Sequence, residues 1–229
     1  GIIFNSGMNI GLIDAATAGS EFDDDEAGVG LARKVGMDAA LRIFNYSSSE
    51  KKIIISLDAD CVVEKNYLTE IIGSFSNSKF SAALVDFEHN ISEESTNKLG
   101  IISYEIFLRH YVVGLLFAQS TYGFHTIGST IVCDHEAYIK VGGMNTKKAA
   151  EDFYFLQKLA KHYDIKRITS TKVKPSPRES WRVPFGTGRS ITDFNINKKN
   201  ILLYDADVYV ILKSWLELLH SDFSLNSGL

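Results

Sequence analysis

Two aspartates at a spacing of two, Asp58 and Asp60, follow directly on an apolar run of strand length, Lys52 to Leu57. A strand covered on both faces would carry these carboxylates at its carboxyl end and project them to one side, because strand side chains alternate with a period of two. Anions placed there need compensation from a cation or from hydrogen-bond donors. A hard divalent ion, Mg²⁺ or Mn²⁺, held by one or two carboxylates and completed by phosphate oxygens, meets that need. The alternative is a pair of turn or capping aspartates ahead of a helix from Glu64. The acidic run from Glu21 to Glu26 has Gly and Ser neighbours and no strand to aim it, so it reads as a solvated loop.

Three other stretches carry groups suited to an anionic ligand. Upstream, Gly28, Gly30 and Gly36 alternate with small and basic residues around Arg33, so a closely packed helix could turn that arginine toward an anion. Packing alone would also account for the glycines. Downstream, Glu151 and Asp152 open a segment with apolar residues at Phe153, Leu156, Leu159 and Ala160. A helix N-terminus there is expected to lower the pKa of Asp152 and keep it ionised as a proton acceptor, although acids at that place also serve the macrodipole alone. Between Pro175 and Arg189, Arg178, Arg182 and Arg189 with Gly186 and Gly188 could approach and balance a diphosphate, or form a turn with solvated arginines.

The elements that must position these groups can be read from periodicity. Lys52–Leu57, Ala82–Val85 and Ser129–Cys133 are short apolar runs expected as buried strands, and Ile165–Lys174 alternates like a strand with one wetter face. Helical spacing appears in Leu31–Phe44, Leu68–Phe75, Phe153–Tyr163 and Ala206–His220, with a long helix expected within Ile91–Gln119, capped by Ser92 with Ser95 nearby. Strands alternating with helices predict an α/β domain with a mainly parallel sheet flanked by helices, whose ligands bind at the carboxyl ends of the strands.

Taken together, the helix around Gly28 to Ala40, the Asp58/Asp60 strand, the Gly128-Ser129-Thr130 segment, the Gly142-Gly143 turn and the Glu151-Asp152 helix resemble, in that order, the family 2 glycosyltransferases of the GT-A (nucleotide-diphospho-sugar transferase) fold. The resemblance covers Val29 to Arg189. It implies a metal-dependent, inverting transfer from a UDP- or GDP-type sugar to a hydroxyl acceptor, either a glycan or lipid-linked. Asp60 and Asp58 would then hold Mn²⁺ or Mg²⁺, with Asp58 also near the ribose, and Asp152 would be the catalytic base. Arg33, Gly128, Glu151, Arg182, Gly186, Gly188 and Arg189 would line the nucleotide-sugar site. Lys34 stands where the family has Asn, and the segment around Trp181 lacks the Gln-x-x-Arg-Trp pattern of processive members. The opening strand and loop that hold the base are not readable, so Ile2 to Ser6 is expected as the second strand of the fold. His125 is a candidate third metal ligand, with packing as its alternative. The Asp-x-Asp strand is equally similar to the haloacid dehalogenase-like phosphohydrolases, in which Asp58 would be a nucleophile. That family's later acidic pair is not found. A non-catalytic nucleotide- or sugar-binding remnant is the third reading.

Composition narrows the field further. The chain has 229 residues, 45% hydrophobic and 23% charged, enough for one full core. One domain over residues 1–190, extended by a helical segment over 191–229, is the expected organisation. Twenty-four basic against 28 acidic side chains, net −4, provide no positive field for nucleic acid. Cys61 and Cys133 sit in apolar runs and read as buried thiols of a reducing, cytoplasmic compartment. The apolar stretch Tyr111–Ala118 falls short of the roughly 20 residues of a membrane span, and peripheral contact at the inner membrane face through C-terminal helices is a further expectation.

Overall fold

Residues 2–5, 8–77, 80–91, 97–176, 187–195 and 201–226 are described by a computed structural model of the chain. At the start, β1 (Ile2–Asn5) and β2 (Met8–Gly11) pair only with each other, as an antiparallel hairpin. The expected second strand, Ile2 to Ser6, is therefore corrected: Ile2–Asn5 pairs with Met8–Gly11 and not with the main sheet, and Ser6 lies outside the described residues.

The elements that follow are α1 (Val29–Ile43), β3 (Ile53–Ile55), β4 (Val62–Val63), α2 (Tyr67–Asn77), β5 (Ala82–Phe87) and α3 (Lys98–Phe117). A 3₁₀ turn at Gly128–Thr130 leads into β6 (Ile131–Asp134), and then come α4 (His135–Lys140), α5 (Glu151–Ala160), β7 (Lys166–Lys174), α6 (Thr187–Asn195) and α7 (Ala206–Asn226). α3 starts after Asn97, which makes no side-chain cap bond, and the expected caps Ser92 and Ser95 lie outside the described residues.

Five strands form one mixed sheet in the order β3-β6-β5-β7-β4. Only β5–β7 is parallel, whereas β3–β6, β5–β6 and β4–β7 are antiparallel. The expected mainly parallel sheet is thus corrected. Apolar runs report that a strand is covered on both faces, and they say nothing about its direction. The coverage itself is as read. On one face Ala82, Leu84, Ile131, Cys133 and Ile54 pack against Met37 of α1 and Tyr138, Phe155, Leu156 and Leu159 of α4 and α5. On the other, Ala83, Val85, Val132, Ile168 and Val173 pack against Tyr67, Ile71 and Phe75 of α2. Neighbours in sequence along β5 and β6 alternate between these two cores, as the pleat requires.

β3 and β5 both run antiparallel to β6, and β7 runs with β5. The carboxyl ends of β3, β5 and β7 and the entry to β6 therefore share one edge of the sheet. α6 and α7 pack on α3. α3 spans 20 residues with a mean hydropathy of 1.4 over 18 of them, so by length and composition alone it is long and apolar enough to cross a membrane. The sequence reading undercounted it because Glu105, Arg109 and His110 interrupt the apolar run.

Candidate active site

The edge just described gathers the groups that could do chemistry. β3 ends at Ile55, although Ser56 continues the ladder by donating its N–H to the carbonyl of Ile131 at 2.9 Å. The chain then turns, and the amide of Cys61 donates to the carbonyl of Asp58 at 3.0 Å. Asp58 and Asp60 thus sit in a turn beyond the strand. Strand alternation is not what aims them; the turn is, and it also brings in Cys61. One ligand atom each from Asp58, Asp60 and Cys61 lie within 4.8 Å of one another. Two carboxylates suit Mg²⁺ or Mn²⁺, and the sulfur favours the softer of the two. Cys61 was read as a buried thiol; it is half-buried, and burial, with the nearby charges of Asp58 and Asp60, pushes its pKa up despite a hydrogen bond with Ser129. Cys133 fits the reading, fully buried and free.

Arg33 joins this turn to the start of α5. Its Nη2 donates to Oδ1 of Asp58 at 2.6 Å, and its Nη1 donates to Oε1 of Glu151. Both acids hold the guanidinium, so Arg33 is an internal bridge and its terminal nitrogens are not turned out to an anion; its Nε is buried without a partner. Two glycines make the bridge sterically accessible. A Cβ on Gly30 would stand 2.3 Å from the carbonyl of Lys147 and 3.0 Å from the Cβ of Glu151, so only glycine lets the first turn of α1 lie against the loop before α5. A Cβ on Gly128 would stand 2.4 Å from Nη1 of Arg33. Gly128 lines the cluster by making room for the guanidinium.

At α5, Ala150 adopts left-handed backbone (φ 57°), a conformation non-glycine residues rarely take, immediately before the two acids. Asn145 fixes the same point by donating from its side-chain amide to the carbonyl of Glu151 at 2.8 Å. Lys158 ties α5 to the preceding turn, donating to the carbonyls of Val141 and Gly143 at 2.9 and 2.7 Å. Burial raises the pKa of Glu151, the neighbouring Asp152 raises it further, and Arg33 opposes both. The expectation that the helix N-terminus lowers Asp152 is corrected. Desolvation outweighs the hydrogen bonds from the amides of Phe153 and Gly128 and the charge of Arg33, and the carboxyl of Asp152 sits above its ordinary value. A carboxylate so placed binds its proton more tightly than a solvated aspartate does.

The other expected residues fall elsewhere. Gly188 and Arg189 lie within α6 and not in a loop: the Gly188 carbonyl accepts from Thr192 at 2.9 Å, and Nε of Arg189 pairs with Asp193 at 3.2 Å. Arg182 and Gly186 lie outside the described residues. His125 does not join the Asp58, Asp60 and Cys61 group; its ring stands edge-on to Phe87 at 5.0 Å between centroids, and burial, helped by Arg109 and Arg167, lowers its pKa to about 4. Gly30, Cys61 and Asn145 were not singled out as functional. Cys61 follows Asp60 directly and carried a readable signal, whereas the other two acquire their roles only from partners distant in sequence. No family model, curated protein or solved structure matches this chain.

Proposed function

We propose that the Asp58, Asp60, Arg33, Glu151 and Asp152 cluster is the donor site of a metal-dependent, inverting glycosyltransferase of GT-A type. It would move a sugar from a UDP or GDP sugar to a hydroxyl acceptor. The observation that supports this most is the Arg33 bridge, which links the strand-end acid Asp58 to the helix-start acid Glu151 across 93 positions of sequence. A structural capping pair would have no reason to converge in this way.

In this reading Asp60 and Asp58 hold Mn²⁺ or Mg²⁺, and Arg33 keeps Asp58 in place. When bound, the cation supplies positive charge for the departing diphosphate; a unit pair at about 4 Å contributes roughly 4 kcal/mol at intermediate dielectric, about a thousandfold in rate. Asp152 accepts the proton of the acceptor hydroxyl as its oxygen forms a bond to the anomeric carbon. The bond from that carbon to the diphosphate oxygen breaks, and the nucleoside diphosphate leaves with the electron pair.

Two variants test the division of roles, assayed with a panel of UDP and GDP sugars by calorimetry and by release of nucleoside diphosphate. Asp60→Asn loses metal-dependent nucleotide binding. Asp152→Asn binds as the wild type does, and its transfer falls by about 10²–10⁴. Equal loss of both steps in both variants removes the assignment. Trapping of a phosphoaspartate at Asp58 by beryllofluoride would establish the phosphohydrolase reading instead, and nucleotide binding without turnover on any donor would leave a binding remnant.

A further inference from the structure

The turn after β3 brings a sulfur to the two carboxylates. One ligand atom each from Asp58, Asp60 and Cys61 lie within 4.8 Å of one another, and none of the three residues is buried, so an ion can reach them from solvent. Separations of that order suit ligands of one ion, whose bonds to oxygen and sulfur run from about 2.0 to 2.3 Å. Two features place the sulfur. The backbone amide of Cys61 closes the turn on the carbonyl of Asp58 at 3.0 Å, and the thiol shares a hydrogen bond with Ser129, a buried side chain of the 3₁₀ turn that leads into β6. Metal ligands are commonly fixed by an outer hydrogen bond of this kind. A second hydroxyl in these surroundings is unsatisfied. Tyr67 is 3% exposed, its hydroxyl has no hydrogen-bond partner among the described residues, and the charge of Cys61 raises its pKa beyond what burial does. A thiol is a weak acceptor for a neighbouring hydroxyl, whereas a thiolate is a strong one.

The ligand set decides which ion. Mg²⁺ demands near-ideal octahedral oxygen coordination and gains little from sulfur, whereas Mn²⁺, Co²⁺ and Zn²⁺ accept thiolate more readily. Arg33 already engages Oδ1 of Asp58 at 2.6 Å, so the carboxylates are not wholly at an ion's disposal. We propose that Cys61 is a third ligand, bound as thiolate, to the ion that Asp58 and Asp60 hold, and that it makes the site select Mn²⁺, Co²⁺ and Zn²⁺ over Mg²⁺. As the ion binds, the S–H bond breaks, the sulfur–metal bond forms and the proton passes to water. A coordinated thiol ionises even beside two carboxylates. The inference rests on the metal site of the proposed transfer and narrows its cofactor to the softer ion.

Full-length protein without nucleotide, kept anaerobic with a reductant that is not a thiol, is titrated with Co²⁺, Mn²⁺ and Mg²⁺. Co²⁺ should bring up a thiolate-to-metal absorption band in the near ultraviolet that saturates with one ion bound, and calorimetry should show Mn²⁺ bound at least about ten-fold more tightly than Mg²⁺. Cys61→Ser should lose the band and most of that preference while still binding Mn²⁺ through the carboxylates, about ten-fold or more weakly. Cys133→Ala removes the chain's other thiol and should retain both, so the assignment does not hang on one variant folding. A wild type that binds these ions with no such band, a Cys61→Ser variant that keeps it, a folded Cys133→Ala variant that loses it, or Mg²⁺ bound as tightly as Mn²⁺ overturns the proposal and leaves the carboxylate site standing. Failure of the wild type to bind any of the three ions overturns the metal site and the proposal together.

Discussion

Replacing Arg33 by methionine keeps the apolar stem of the side chain and deletes the charge that links α1, the Asp58 turn and α5. The magnitude follows from the burial of the partners. The side chains of Arg33 and Glu151 are 11% and 5% exposed, so breaking this pair leaves an uncompensated buried carboxylate, at a cost of about 3–5 kcal/mol. Asp58 is 43% exposed and water takes over its solvation, adding about 0–1 kcal/mol. For a chain of this size, about 2–4 °C per kcal/mol, the melting temperature at pH 7 should fall by about 6–24 °C. The double variant Arg33→Met/Glu151→Gln removes the stranded charge and should recover at least half of that loss. The pH dependence has a definite sign. Glu151 is raised by burial first and by Asp152 next, with Arg33 opposing, so deleting Arg33 raises it further. An acid raised in the folded state contributes stability that is present below its unfolded value, about 4.3, and is lost as pH rises through the folded value. The deficit of Arg33→Met should therefore shrink as pH falls from 7 into that window. Thermal unfolding followed by circular dichroism across pH measures all three quantities. A single variant within 1 kcal/mol of the wild type, a double variant no better than the single, or a deficit independent of pH would each refute the bridge as the organiser of the site.

Two further outcomes follow from the same geometry. Gly128→Ala would place a methyl 2.4 Å from Nη1 of Arg33, displacing the guanidinium at a cost of about 1–3 kcal/mol, and this cost should largely vanish in the Arg33→Met background when measured by a denaturant double-mutant cycle. In the proposed transfer Asp152 acts ionised, and because burial raises it, kcat/KM should increase with pH through an apparent value above the ordinary 3.8 of aspartate. A limb at or below 3.8 in the pH–rate profile would contradict that placement.

Strand and helix positions were readable where a buried face leaves a period. β3, β5, β6 and β7, with α1, α2, α3, α5 and α7, coincide with the apolar spacings to within a few residues. Strand direction left no such trace, since Ala82–Val85 would look the same in a parallel or an antiparallel sheet. β4, two residues long, and α4, six, are too short for a period to show. α6 was read as part of an arginine-rich loop because Gly186, Gly188 and the prolines upstream mask a helix whose own ties, Arg189 to Asp193 and Thr192 to Gly188, lie four residues apart.

In the site, the individual acids could be singled out from composition and place, but their relation could not. Asp58 and Glu151 are 93 residues apart, and nothing in either segment announces that one guanidinium holds both. The requirement for glycine at positions 30 and 128 is likewise written in the partner, Lys147 in one case and Arg33 in the other. The sign of the Asp152 shift was misjudged for a related reason: helix position is legible in sequence, whereas the desolvation that outweighs it depends on how α5 packs against the turn at Gly128.

The proposed transfer depends on a cation held by the turn after β3, and Mn²⁺ itself reports on it. Electron paramagnetic resonance of Mn²⁺ titrated with the protein and UDP or GDP should show the free-ion signal falling saturably, with one ion bound, and with affinity strengthened by the nucleotide. In Asp58→Asn/Asp60→Asn the signal should remain that of the free ion under the same conditions. Undiminished Mn²⁺ binding in that double variant, or nucleotide binding equally tight with and without Mn²⁺ in the wild type, would contradict the account.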